Sequence, residues 1–207
     1  MASDTFVGSR GERRLRHKEF VFPVVVGTCA FYLGKKATET QSHKWYLYVR
    51  GLNGEDIGHI IKKVVFNLHP TFPNPTREVT VHPFEIEEHG WGEFELNVTL
   101  HFADDAQEQS VDIFHKLKLY SEVEPTNQST KKPVVNEQYE ELIFSEPVEA
   151  FYQRVTTFTP PVAFPIPSIA PHFRVFDPAD DLHKINQARQ KVAHMMASVK
   201  RQFESLA

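Results

Sequence analysis

The most informative stretch of the chain runs from residue 68 to residue 94 and reads LHPTFPNPTREVTVHPFEIEEHGWGEF. Its first part has prolines at positions 70, 73 and 75, which cannot donate to a strand ladder and which disfavour helical conformation in the preceding residue. Its last part places Trp91 between Gly90 and Gly92, a composition typical of a tight turn with an uncovered indole. The stretch therefore predicts two loops, at 69–73 and 90–94, that present aromatic and small polar side chains.

Alternating apolar and polar residues flank this stretch on both sides. Trp45, Leu47 and Val49 alternate with Tyr46 and Tyr48, which is the period of two expected for a strand. The same period recurs over residues 57–68, 94–102 and 111–119. Short strands separated by turn residues predict an all-β fold, an immunoglobulin-like antiparallel β-sandwich. Loops gather at the ends of a sandwich, so the two loops are expected to meet there and form a binding site.

The composition predicts four segments along the chain. These are a flexible N-terminal tail at 1–18, the sandwich with a C-terminal extension at 19–150, a proline-rich linker at 151–178 and a C-terminal helix at 179–207. Within the extension, residues 134–144 are expected to pack back on the sandwich. The linker is expected to be extended, because proline interrupts helices, with Phe164, Ile166 and Phe173 as its candidate docking residues.

The C-terminal helix is predicted from a coiled-coil pattern. Its seam is spaced alternately by three and four residues and consists of Leu182, Ile185, Arg189, Val192, Met196, Val199, Phe203 and Leu206. Asp177 and Pro178 supply an N-cap and a first helical residue. A stripe of this kind needs a partner, which is a second copy of the chain, another protein, or a face of the sandwich.

Charge and cysteine content restrict the possible partners. The net charge of -4 provides no general basic surface, so direct binding of nucleic acid is not expected. An acidic balance of this kind is suited to a cationic partner. The single cysteine, Cys29, excludes an intramolecular disulfide and a cysteine-based zinc site. The 11 histidines form no ligand pair of known spacing, so neither a metal nor another cofactor is predicted. The apolar run at 20–33 is too short to span a bilayer, which argues against a membrane partner.

Four pieces of the chain, taken in order, closely resemble a YEATS domain, the reader of acylated lysine in histone tails. They are HKWYLYVRG at 43–51, LHPTFPNPTR at 68–77, GWGEF at 90–94 and VDIFHKLKL at 111–119. The resemblance covers residues 20–120, and a second, shorter region of similarity lies at 134–147. The GWGEF loop is similar to that of the glioma-amplified branch, whose members belong to histone acetyltransferase and histone-variant exchange complexes.

The resemblance implies a non-catalytic chromatin reader in the nucleus. Its expected partners are an acylated histone H3 tail and other subunits of a chromatin-modifying complex, which the C-terminal helix would contact. A homodimer through the same helix is the alternative.

The resemblance also implies a set of acyl-lysine-binding residues, namely His69, Thr71, Phe72, Gly90, Trp91, Gly92, Glu93 and Phe94. Phe72 and Trp91 would enclose the flat amide from both sides, and the Trp91 backbone N–H would donate to the acyl carbonyl. The Thr71 hydroxyl, oriented by His69, would accept from the amide N–H. Acetyl and flat longer groups such as crotonyl should both fit. Thr71 stands where the family more usually has serine, so its methyl group should narrow the pocket.

Two other classes of function remain open from the sequence. A carbohydrate-binding or carbohydrate-cleaving sandwich would stack Trp91 on a sugar ring and use Glu88 with Glu93 or Glu95 as a carboxylate pair. A scaffold subunit would work through its C-terminal helix alone. No P-loop, nucleophile elbow or metalloprotease motif occurs in the sequence, so catalysis is not expected.

Overall fold

Two antiparallel sheets face each other across an apolar core, which confirms the predicted β-sandwich. The computed structural model describes residues 4–121, 128–159, 169–172 and 178–204. This part of the chain contains the strands β1 (Thr5–Val7), β2 (Arg13–Leu15), β3 (Glu19–Tyr32), β4 (His43–Gly51), β5 (Ile61–Asn67), β6 (Thr76–Val79), β7 (Phe84–Gly90), β8 (Glu95–Phe102), β9 (Val111–Lys116) and β10 (Val134–Ser145), and the helices α1 (Glu149–Thr157) and α2 (Ala179–Glu204). One sheet has the strand order β10-β3-β4-β7 and the other β6-β5-β8-β9, while β1 and β2 form a separate hairpin.

The core consists of the alternate apolar positions that the sequence pattern predicts. Trp45 and Leu47 of β4 are fully buried, and Phe66 of β5 and Val98 and Leu100 of β8 face them from the other sheet. Each large apolar side chain removed from water contributes roughly 1.5–3 kcal/mol. This packing fixes the register of both sheets, because a slip of one residue would expose every one of these side chains.

Strand pairing brings the two predicted loops to one end of the sandwich. Asn67 at the end of β5 pairs with Asn97 near the start of β8, and Gly90 at the end of β7 pairs with His43 at the start of β4. We call this end, where β3, β5 and β7 finish and β4, β8 and β10 begin, the loop end. Residues 68–75 and 91–94 both leave the sheets there.

The N-terminal residues correct one prediction, because residues 4–18 are not an irregular tail. β1 and β2 form a hairpin, and the backbone N–H of Leu15 donates to the carbonyl of Pro147 at 3.0 Å. The guanidinium of Arg14 donates to Glu12 at 2.7 Å and to Glu108 at 2.8 Å. A basic, polar segment is expected to be solvated when taken alone, whereas here one carboxylate within the segment and one distant in sequence bind the charge of Arg14.

Helix α1 corrects the predicted start of the linker. Residues 149–157 are helical, and Phe151 and Val155 on this helix are buried in the core. The Arg154 guanidinium makes a bidentate pair with Asp105, at 2.6 and 2.7 Å, and donates to the carbonyl of His59 at 2.6 Å. The prolines further along the chain led to the prediction of an extended linker from residue 151. The nine residues of this helix contain no proline.

The C-terminal extension adds a strand and a short docked segment to the sandwich. Residues 134–144 do pack back, as β10, which pairs with β3 along its whole length. Beyond α1, Ile169 is buried against Cys29 and Tyr48 on the outer face of the β10-β3-β4-β7 sheet. This cover explains why Tyr48 is buried although it points away from the core. The candidate docking residues Phe164, Ile166 and Phe173 lie outside the described residues.

Helix α2 belongs to a second unit of the chain, residues 174–207, and is described by itself. Its helical assignment confirms the sequence prediction, with Asp180 and Asp181 at the positive end of the helix dipole. The described seam residues Leu182, Ile185, Val192, Met196 and Val199 are exposed or half-exposed. No helix in the described ranges has the length and apolarity to cross a membrane.

Three histidines in the sandwich predict how its stability depends on pH. Burial lowers the pKa of His43, His59 and His115, because the charged imidazolium would lose its hydration. In the unfolded chain the pKa returns to about 6.5, so the unfolded state takes up protons first as the pH falls. The free energy of unfolding should therefore decrease between about pH 7.5 and pH 5.5. Urea denaturation at pH 7.5, 6.5 and 5.5 measures it, and a constant or rising value would contradict the prediction.

Candidate functional site

The first loop, residues 68–75, is held in a fixed shape by its own backbone and by one arginine. The N–H of Leu68 donates to the carbonyl of Pro75 at 2.8 Å, and the N–H of Phe72 donates to the carbonyl of His69 at 3.0 Å. The guanidinium of Arg77 donates to the carbonyls of Pro73 and Asn74. The same guanidinium also donates to the carboxylate of Glu88 at 2.8 Å, which ties this loop to β7.

The second loop, residues 90–94, is fixed at both ends. The carbonyl of Gly90 accepts from the N–H of Ser42 at 3.1 Å, and the carbonyl of Phe94 accepts from the N–H of Leu117 at 2.9 Å. Between them, the carboxylate of Glu93 accepts from the backbone N–H groups of Leu119 and Tyr120, at 2.7 and 3.1 Å. Glu93 thus holds the loop in place, because its carboxylate is bound to the backbone of residues 119–120.

A histidine and a threonine in the first loop form the hydrogen-bonded pair expected of the site. The Nδ1 atom of His69 lies 2.9 Å from the Thr71 hydroxyl oxygen and 3.3 Å from the Thr71 backbone nitrogen, whose N–H donates to it. When Nδ1 acts as the acceptor, the hydroxyl proton of Thr71 is directed at it as well. The lone pairs of the Thr71 oxygen then remain available to accept a hydrogen bond from a ligand. Both side chains are exposed to solvent.

The two aromatic residues predicted as walls of the site are covered to different extents. The Phe72 ring lies edge-on to Trp45, with 5.8 Å between ring centroids, and tilted against Phe94 at 5.6 Å. Trp91 is 62% exposed, and among the described residues no ring pair includes it. Phe72 and Trp91 therefore do not stack on one another. Phe72 is half-buried, and Trp91 is largely open to solvent.

Trp45 was predicted as a core residue, and it is fully buried beneath both loops, where it forms a floor under Phe72 and Phe94. A Cβ atom added at Gly90 would lie 3.3 Å from the indole nitrogen of Trp45 and 3.6 Å from the Cζ atom of Phe72. This close approach explains why glycine occupies position 90. At Gly92 an added Cβ would meet nothing within 4 Å, so that position faces open space.

His43, for which the sequence predicted no role, lies beside this floor. Its ring packs against Tyr32 and Tyr120 at centroid distances of 5.4 and 5.3 Å, and its Nδ1 atom is 2.8 Å from the hydroxyl of Ser42. The signal for both floor residues was in the sequence, since His43 and Trp45 belong to the HKWYLYVRG piece. Their strand pattern indicated burial, but it could not show which loops they support.

Two of the carboxylates considered for a sugar-cleaving site, Glu88 and Glu93, are bound by other groups of the protein. Glu88 is bound to Arg77, and Glu93 is bound to the 119–120 backbone, so each is engaged in holding a loop. In the part of the chain that the structure describes, no group of three or more histidine, cysteine, aspartate or glutamate side chains is arranged to hold a metal ion.

Comparison with known proteins identifies relatives that cover most of the chain. The sequence profile of the YEATS family matches residues 40–121. A protein of Arabidopsis thaliana named transcription initiation factor TFIID subunit 14b is 41% identical over 221 residues, covering 94% of this chain and 82% of that protein. The AF-9 homolog of Eremothecium gossypii is 40% identical over 148 residues, covering 69% of this chain and 71% of its own length.

Solved structures agree with these sequence matches. The Yaf9 YEATS domain bound to H3K27ac superposes with a TM-score of 0.62 at 34% identity, covering 70% of this chain and 99% of that chain. The Yaf9 YEATS domain recognizing an H3K122suc peptide superposes with a TM-score of 0.59, also at 34% identity, and covers 70% of this chain and 98% of that chain.

Proposed function

Because the chain belongs to the YEATS family, we propose that it is a non-catalytic reader of acylated lysine in histone H3 tails. The observation that carries the proposal is the meeting of two loops at one end of the sandwich. One loop presents the His69 and Thr71 pair above Phe72, and the other presents Trp91 between two glycines. The Yaf9 structures support the proposal, since that YEATS domain binds acylated H3 peptides.

The chemistry of the site favours a neutral planar group over a charged one. Acylation removes the charge of a lysine side chain and leaves an amide with one donor and one acceptor. The Thr71 oxygen accepts from the amide N–H, and the backbone N–H of Trp91 donates to the acyl carbonyl. Stacking of the amide between Phe72 and Trp91 adds roughly 0.5–1.5 kcal/mol beyond the area it buries.

The acyl chain extends between Trp91 and the first loop, and flat groups such as crotonyl are accommodated there. Gly92, which faces open space, leaves room at the side of the indole. The Thr71 methyl group narrows the entrance, so the preference between acetyl and crotonyl depends on this residue. Affinity is modest, on the order of ten to a few hundred micromolar, because a single pocket buries little area.

Substitution of Thr71 separates the role of its hydroxyl from that of its methyl group. Thr71→Ala removes the acceptor and leaves the buried amide N–H of the ligand unsatisfied, which should weaken binding of an acetylated H3 peptide by about 1–3 kcal/mol. Thr71→Ser keeps the hydroxyl, so it should bind the acetylated peptide like the parent and the crotonylated peptide at least as well. Isothermal titration calorimetry measures both, and parental affinity of the Thr71→Ala variant would contradict this role of the hydroxyl.

The function itself is tested by titrating the 207-residue chain with H3 peptides that are unmodified, acetylated or crotonylated. We expect binding of the two acylated peptides and none of the unmodified one at the same concentration. Equal binding of all three would show that acylation is not what the site recognises. No binding of any would favour a scaffold protein that works through helix α2.

The exposed stripe on α2 suggests how the reader joins a larger assembly. We propose that α2 forms a coiled coil with another subunit of a nuclear chromatin-modifying complex, with a homodimer as the alternative. Membership of the glioma-amplified branch rests on the GWGEF loop and is part of the same proposal. The Arabidopsis relative carries the name of a TFIID subunit, which supports a role in transcription.

A further inference from the structure

Helix α2 carries one charged residue in an otherwise apolar seam. Among its described side chains, the seam residues are all exposed, and they are Leu182, Ile185, Arg189, Val192, Met196 and Val199. Arg189 lies in the middle of this stripe, so a partner helix that covers the seam must also cover the guanidinium. A single polar residue in a coiled-coil seam costs stability and specifies which pairing is accepted.

The helix does not neutralise Arg189 by itself. Its nearest acidic residue, Asp181, is eight positions away, which is roughly 12 Å along the axis. The neighbouring Asp180 is paired with Lys184 at 2.5 Å, one turn further along. Among the described residues of α2, no carboxylate lies within ion-pair distance of Arg189. The missing negative charge must therefore come from the partner.

A second copy of the chain does not supply this charge when the two helices run parallel. In a parallel pair that is in register, each seam residue faces its own counterpart, so the two Arg189 side chains meet. The positions beside the seam at this level carry no charge, and they are Asn186, Ala188, Ala193 and Met195. Two like charges without an acidic neighbour disfavour this pairing. A stagger of one heptad brings Asp181 of one copy beside Arg189 of the other, but it leaves the second arginine unpaired.

An antiparallel second copy leaves the charge unpaired as well. When the two seams overlap fully, Arg189 of one copy faces Val192 of the other. Asp181 of the other copy then lies about 11 positions from Arg189, which is roughly 16 Å along the axis. An antiparallel shift that brings these two residues together leaves only about half of the helix in contact.

The charge of the whole helix points to an acidic partner. Positions 182–203 contain no aspartate or glutamate and five basic residues, namely Lys184, Arg189, Lys191, Lys200 and Arg201. The acidic residues of α2 are confined to its two ends. A cationic helix is electrostatically complementary to an acidic helix and repels a copy of itself over most of its length.

We infer that α2 pairs with an acidic helix of a different protein, which places a glutamate or aspartate in its seam opposite Arg189. The inference rests on the proposed function, which makes α2 a coiled-coil partner of another subunit. A guanidinium binds a carboxylate through two parallel hydrogen bonds, so the pair fixes the register of the two helices. A partner with a fully apolar seam is disfavoured, because it would bury the arginine without a counter-charge.

The first test uses the full 207-residue chain and two designed heptad peptides. Both peptides have leucine in the seam and glutamate beside it. They differ only in one central seam residue, which is glutamate in one peptide and lysine in the other. The parent should bind the glutamate peptide at least about tenfold more tightly, and Arg189→Glu should reverse the preference. Fluorescence anisotropy of the labelled peptides measures both affinities.

The second test measures self-association by sedimentation velocity. The parent should sediment as a monomer, whereas Arg189→Leu completes the apolar seam and should form dimers at the same concentration. Arg201→Leu is the matched control, because it removes the same charge and adds the same side chain outside the seam. This control should remain monomeric.

The outcomes separate this inference from the proposals on which it rests. A stable dimer of the parent would overturn it in favour of the homodimer. Equal affinity of the parent for both peptides, or a monomeric Arg189→Leu variant, would show that Arg189 does not select the partner, while a coiled coil of α2 would stand. If neither peptide binds, the coiled-coil proposal fails too. Arg189→Glu should bind acetylated H3 peptide like the parent, so the reader function is judged separately.

Discussion

Trp91→Ala is expected to abolish measurable binding of acylated H3 peptides while leaving the fold intact. The indole is 62% exposed and packs against no other ring in the described residues, so its removal costs little stability. In the proposed complex it supplies one of the two aromatic walls. Truncation of such an aromatic contact typically costs at least about 2 kcal/mol, which is roughly a 30-fold loss of affinity. With a parental affinity in the micromolar range, this loss moves binding beyond the reach of calorimetry.

Phe114→Ala is the matched control for this prediction. Phe114 is 63% exposed, nearly the same as Trp91, but it lies on the outer face of β9 and not in either loop. Its replacement should leave peptide affinity unchanged. If Trp91→Ala binds the acetylated peptide like the parent, or if both variants lose binding equally, Trp91 is not a wall of the site.

Phe151→Ala is expected to cause the largest loss of stability among the substitutions considered. Phe151 is fully buried, and its ring lies 5.0 Å from that of Phe144 and 6.1 Å from that of Phe20. Replacing a buried phenylalanine by alanine costs about 3–5 kcal/mol, because apolar contacts are lost and a cavity remains. Since small domains are stable by only about 5–15 kcal/mol, most of the available stability would be lost. Urea denaturation followed by circular dichroism measures the change.

Gln153→Ala on the same helix provides the comparison. Gln153 is exposed, so the free energy of unfolding should change by less than about 0.5 kcal/mol. Similar stability of the Phe151→Ala variant and the parent would mean that α1 is not part of the core. The prediction also has a practical consequence, since a chain truncated at residue 150 would lack both Phe151 and Val155.

The sandwich could be predicted from the sequence because its main strands alternate regularly. In β8, for example, Leu96, Val98 and Leu100 are buried, whereas Asn97 and Thr99 between them are partly exposed. A period of two over a whole strand is a local property, and it specifies both the conformation and the buried face. The first half of β4 follows the same alternation, whereas residues 47–51 of β4 and 64–66 of β5 are all buried.

The hairpin at the N-terminus and helix α1 could not be predicted in the same way. Their conformations depend on partners distant in the chain, such as Glu108 for Arg14 and Asp105 for Arg154. Neither segment has a long apolar period of its own. A single sequence contains no direct record of such contacts, so composition suggested a tail and a linker instead.

The residues of the candidate site could be predicted from the sequence, but the contacts between their side chains could not. Glycine at positions 90 and 92 and proline at 70 and 73 indicated the two loops, and the structure brings both to the loop end. The sequence could not show that Phe72 packs on Trp45 or that the Glu93 carboxylate binds the 119–120 backbone. These contacts arise where strands from different sheets meet, and that arrangement depends on the whole fold.

The most direct test of the account is an NMR titration of the backbone amides with acetylated and with unmodified H3 peptide. The central claim is that the acyl amide lies between the two loops, with its carbonyl accepting from the Trp91 backbone N–H. The acetylated peptide should move the Trp91 amide proton resonance downfield and shift its neighbours at positions 90–94 and 69–73, while the unmodified peptide should leave them in place. Shifts confined to other surfaces, or identical shifts with both peptides, would contradict the claim.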